Sequence, residues 1–80
     1  MLTAKQFKAM KHLYETQGQT FCFSLDEARE FCKKMKLTNK TASIIEDHKA
    51  GKFYIESSET IGLIRNFETE HKICDTKAVA

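Results

Sequence analysis

A small α+β domain in the order helix, strand, helix, helix, β-hairpin is the fold class that three features of the sequence predict. Apolar residues recur at helical spacing in segments 3–17, 25–36 and 39–50. Short β-prone runs lie at 20–23, 52–56 and 61–65, where apolar positions alternate rather than rotate. The 80 residues, 41% hydrophobic and 30% charged, suit one core and exclude a second domain or a wholly disordered chain. A core of this size stabilises by only about 3–5 kcal/mol.

In segment 3–17, Phe7, Met10, Leu13 and Tyr14 share one face, with Thr3 as N-cap and Gly18 as the stop. Lys5, Lys8, Lys11 and His12 stand opposite and read as a solvated basic face. Thr20-Phe21-Cys22-Phe23 follows as a brief strand with both phenylalanines on one side. Ser24-Leu25-Asp26-Glu27 has the Ser-x-x-Glu form of a capping box, in which each side chain bonds a backbone N–H that the helix leaves open. The helix it starts carries Leu25, Ala28, Phe31, Cys32 and Met35 on one face. Its acids come early and Lys33, Lys34 and Lys36 late, which complements the helix dipole.

Segment 39–50 is predicted as a third helix, capped by Thr38 or Asn39 and stopped by Gly51. Thr41, Ala42, Ile44, Ile45 and His48 would then turn inward, and Asn39, Lys40, Ser43, Glu46 and Asp47 outward. A hairpin closes the domain, its arms 52–56 and 61–65 joined by Ser57-Ser58-Glu59-Thr60. The domain is expected to span 1–67. Residues 68–80 have little periodic apolar pattern and are expected to form a partly disordered tail, with Ile73 and Cys74 as its docking points.

Three cysteines without a C-x-x-C pair form neither a disulfide framework nor a zinc ligand set, so no metal or other cofactor is expected. Cys22 and Cys32 read as small buried hydrophobes, and His48 as a packed histidine. A glycine-rich phosphate loop, a nucleophile elbow and an isolated carboxylate pair are all missing from the sequence, so the expectation is not an enzyme. The first residues lack the apolar run of a signal peptide, and no stretch approaches the roughly 18 apolar residues of a membrane span. A soluble cytoplasmic protein with no membrane role is expected.

In this order of elements, residues 3–67 resemble the winged helix-turn-helix superfamily, although the turn Lys36-Leu37-Thr38-Asn39 has no glycine. The resemblance implies a supporting helix at 25–36, a recognition helix at 39–50 and a wing at 52–65. It implies a small transcription regulator that binds duplex DNA, as a homodimer on two half-sites. Lys33, Lys34, Lys36 and Lys40 would meet phosphates, Asn39, Lys40 and Ser43 base edges, and Lys52 and Arg65 would flank the wing.

The net charge of +2 conceals a polarity: residues 1–40 hold eight basic and four acidic side chains, residues 41–80 five basic and seven acidic. Glu46 and Asp47 on the third helix, with Glu56 and Glu59 on the wing, therefore support an alternative. In it the scaffold is a protein-binding adaptor or inhibitor set against a basic partner, of the kind that suits phages and plasmids.

Overall fold

Helix α1, Ala4–Gln17, begins and ends where its caps dictate. Thr3 Oγ1 accepts from the Gln6 N–H at 3.0 Å and Gln6 Oε1 from the Thr3 N–H at 2.9 Å, a complete capping box. Gly18, at φ +78°, closes the helix with its N–H on the Tyr14 carbonyl at 2.9 Å. Strand β1, Gln19–Cys22, follows at once. Ser24 Oγ then accepts from the Glu27 N–H at 3.1 Å and starts α2, Leu25–Lys34. All this comes from a computed structural model, which describes residues 1–60 and 69–73.

The end of α2 explains the missing glycine. The Leu37 N–H reaches back to the Cys32 carbonyl at 2.8 Å and the Lys36 N–H to that of Lys33 at 3.1 Å, the two bonds of a Schellman motif. Lys36 takes the left-handed position at φ +60°, which costs a residue with a Cβ roughly 1 kcal/mol. A tight turn from Thr38 to Ala42 follows, held by the Thr41 and Ala42 N–H groups on the Thr38 carbonyl, both at 3.0 Å.

Segment 39–50 is not a helix. It contains β2, Ala42–Asp47, followed by a four-residue turn into β3, Lys52–Ser57. Adjacent Ile44 and Ile45 fit one helix face and also a strand covered on both sides, and the structure takes the second solution, with both fully buried. Gly51, at φ +68°, is the left-handed residue of the hairpin turn rather than a helix stop. Asp47 Oδ1 accepts from the N–H groups of Lys49 and Ala50, each at 3.1 Å, and fixes that turn. No helix-turn-helix therefore forms among the described residues. The described residues form a small α+β domain of two helices and four antiparallel strands.

Sheet order is β1-β3-β2-β4, with β4 at Thr69–His71. Both edges of β3 are occupied, so its hairpin partner is β2 and not the 61–65 run, which lies outside the described residues. β4 lies within the span read as tail and pairs with β2, Ile44 opposite His71 and Glu46 opposite Thr69. Beyond it Ile73 is buried and donates its N–H to Asn39 Oδ1 at 2.7 Å.

Both helices pack on one face of the sheet, where Met10, Ala28, Phe31, Cys32, Cys22, Ile44 and Ile55 form the core. Burial raises the Tyr14 hydroxyl above its ordinary 10.0, helped by Cys32 and Glu59, and raises the Cys22 thiol above 9.0. As pH rises, the unfolded chain gives up these protons first. The stability they contribute is whole below the unfolded values and is lost as pH climbs through the folded ones. The melting temperature is expected to hold below pH 9.0 and fall above it, less steeply in Tyr14→Phe, as circular dichroism melts will show.

Candidate functional site

β1 is an edge strand, paired only with β3 among the described residues. The Ser57 N–H donates to the Gly18 carbonyl at 2.8 Å, which sets the phase of the ladder. Gly18, Thr20 and Cys22 bond toward β3, and the N–H and C=O groups of Gln19 and Phe21 point away from it.

The same alternation sets the side chains. Thr20 and Cys22 are buried against the helices, so Phe21 takes the opposite face, where its ring centroid lies 6.3 Å from that of Tyr54. The Lys52 ammonium sits 4.6 Å above the Phe21 ring. Just past the strand, Phe23 meets Phe21 edge-on at 5.8 Å and 86°. Phe21 is 36% exposed and Phe23 65%.

Between this edge and α1 runs a groove of about 190 Å³, lined by Leu2, Met10, Leu13, Phe21, Phe23 and Glu27 among others. A second hollow of about 160 Å³ shares Leu13 and Phe21 with it and adds Gln19 and Tyr54. An aromatic edge with unpaired backbone groups and an apolar groove beside it is suited to holding another chain.

No family model, curated protein or solved structure matches this chain.

The residues expected to touch DNA divide three ways. Lys33, Lys34, Lys36 and Lys40 are exposed, with no carboxylate of the described residues within 4.0 Å of their ammonium groups, and Lys34 lies 5.4 Å over the Phe7 ring. Asn39 is tied to Ile73, Lys52 lies over Phe21, and Ser43 is buried on β2, where no base edge can reach it. Arg65 lies outside the described residues.

The four acids do not form one surface. Glu56 is fully buried on the central strand, Asp47 is engaged in its turn, and Glu59 is exposed on the following loop. Glu46 lies between two histidines: His71 Nε2 is 2.9 Å from Oε1 and His48 Nδ1 3.3 Å from Oε2. His48 Nε2 is also 2.9 Å from Thr69 Oγ1, so the cluster clasps β4 to β2. His48 is thus an exposed turn residue and not a packed helical one. No three His, Cys, Asp or Glu side chains among the described residues are placed to hold a metal ion, and no described helix is long and apolar enough to cross a membrane. Cys22 and Cys32 are buried, and Cys74 lies outside the described residues.

Phe21, Phe23 and Tyr54 were not singled out from the sequence. The run Phe21-Cys22-Phe23 is apolar on both faces of an extended chain, so alternation alone does not say which side meets the helices. The cue is size, since the small thiol of Cys22 is what fits beneath α1 and α2.

Proposed function

We propose that this chain is a small protein-binding module whose docking surface is the β1 edge. The observation that carries this reading is the Phe21–Phe23 pair, edge-on to one another and open to solvent beside an apolar groove. Single exposed apolar residues are common on monomers, but a contiguous aromatic patch against a concave apolar surface is characteristic of an interface. The reading keeps the protein partner inferred from the charge polarity and moves its surface, because the acids meant to serve it are buried, engaged or dispersed.

Phe23→Ala tests it. Removing a ring that is mostly in solvent is expected to change stability by no more than about 0.5 kcal/mol. It should cost at least roughly 2 kcal/mol, about thirtyfold, in affinity for the bound partner. The partner is isolated by crosslinking the full chain in its native extract, and its affinity is measured by titration calorimetry. Equal affinity in the variant overturns the reading.

A second reading is favoured by the four exposed lysines at the end of α2 and in the turn after it. They would grip the phosphates of duplex DNA without a helix entering the groove, leaving affinity to charge alone. Lys34→Glu with Lys40→Glu should abolish binding to mixed duplexes at low salt, and wild-type affinity should fall steeply as salt rises. Electrophoretic mobility at two salt concentrations measures both, and undetectable wild-type binding at low salt removes this reading.

A further inference from the structure

The two sides of the β1 edge differ in a way that specifies what would fit there. An incoming strand that bonds to the outward N–H and C=O groups of Gln19 and Phe21 would alternate its own side chains. One set would fall toward the groove lined by Leu2, Met10 and Leu13, the other toward Phe21 and Tyr54. Both sets meet apolar surface. On the helix side, Ala9 lines the groove, and helical geometry sets the exposed Lys5 next to it, four residues before. On the other side stands the Lys52 ammonium above Phe21. Glu27 is the single acid lining either hollow among the described residues. Each margin of the edge therefore carries a lysine, Lys5 on the helix side and Lys52 on the other.

A second copy of this chain is a poor occupant. Antiparallel β1–β1 pairing about a two-fold axis would lay α1, with its three lysines and one glutamate, beside its own copy. Like charge would outweigh opposite charge where the two helices meet. A strand with an apolar middle and carboxylates at its flanks meets the opposite sign at each margin.

We propose that the edge of β1, unpaired on its outer side among the described residues, takes up an extended segment of a partner protein as an additional antiparallel strand, apolar at its centre and acidic at its flanks. This deepens the protein-binding reading and rests on it. It specifies backbone pairing, which that reading does not require.

The probe is a capped heptapeptide alternating valine and threonine with glutamate at both ends, titrated into the isotope-labelled full chain. A lysine-ended counterpart and a peptide with N-methylated valines serve as comparisons. The Gln19 and Phe21 amides should shift and exchange more slowly. The glutamate-ended peptide should bind at least roughly threefold tighter than the lysine-ended one, and the difference should vanish in high salt. Phe21→Ala and Phe21→Pro both lose the ring, but only proline removes the outward N–H, and Thr20 before it is already extended. Phe21→Pro should therefore bind roughly fivefold more weakly than Phe21→Ala. If melting shows that the proline variant does not fold, the N-methylated peptide carries the comparison and should lose a similar factor against the native chain.

Unmoved Gln19 and Phe21 amides at millimolar peptide overturn the proposal, as does equal binding of the two charged peptides at low salt or of the N-methylated one. Protection of the same amides by raising the protein concentration without peptide overturns it in favour of a second copy. If pairing fails while Phe23→Ala still severs the isolated partner, strand addition is overturned and the protein-binding reading stands. If Phe23→Ala leaves that partner bound, the broader reading falls.

Discussion

Phe31→Ala should leave most of the protein unfolded at room temperature. The side chain has no exposed surface, and its ring centroid lies 5.6 Å from Phe7 and 5.9 Å from Tyr14, so it joins α1 to α2 above the sheet. Truncating a buried phenylalanine costs about 3–5 kcal/mol, through lost burial and the cavity left behind. A single core in a chain of this size supplies about the same amount. The variant is expected to lack a cooperative melt by circular dichroism, whereas Phe31→Leu, which keeps much of the volume, should retain a weakened one. Phe23→Ala is the control, since it removes the same number of ring atoms from the surface. Equal melting of Phe31→Ala and the native chain would place the core elsewhere.

Gly18→Ala should cost roughly 2 kcal/mol or more, through two separable causes. At φ +78° a Cβ is strained wherever it points, and here it would also fall on the Thr60 methyl and within 3.0 Å of Thr60 Oγ1. Thr60 cannot simply rotate away, because its hydroxyl donates to the Gly18 carbonyl at 2.9 Å and also lies 3.0 Å from Ser57 Oγ. Thr60→Ser removes the methyl and keeps the hydroxyl. In that background the cost of Gly18→Ala should shrink by the methyl clash, leaving the backbone strain of about 1 kcal/mol and the tight contact with the remaining hydroxyl, by urea denaturation of the four members of the cycle. An undiminished cost would mean that the methyl contact contributes nothing.

The first thirty-five residues were legible because their signals are local. Thr3, Gly18 and Ser24 each act through a bond to a residue three or four positions away, and such bonds can be read from a short window. Segment 39–50 was not legible, because its choice between helix and strand is made by partners. Ile44 and Ile45 point to opposite faces of a sheet whose other strands lie up to about twenty-five residues away in sequence, and tertiary pairing overrides a short periodic pattern. β4 carries almost no sequence signal. Thr69, Glu70 and His71 are polar, and they form a strand because β2 presents an open edge and Glu46 binds His71.

The candidate site was least legible for the same reason. The lysines and acids were visible as charge, but their exposure depended on the element that carried them. Making 42–47 a strand buried Ser43 and turned Glu46 toward two histidines. The aromatic edge became a candidate only once β1 was known to lie at the margin of the sheet formed by the described residues.

The two margins of that sheet are unlike, and the difference sets a limit on growth. β4 is three residues long, with exposed Glu70 at its centre, and offers a poor template for another strand. β1, unpaired on its outer side among the described residues, offers a usable one. A sheet that can be extended from a single end adds one strand and then stops, whereas two matching ends would let copies line up head to tail without limit. Under the proposed strand addition, the domain would take up one partner strand at β1 without itself becoming the repeating unit of a fibre.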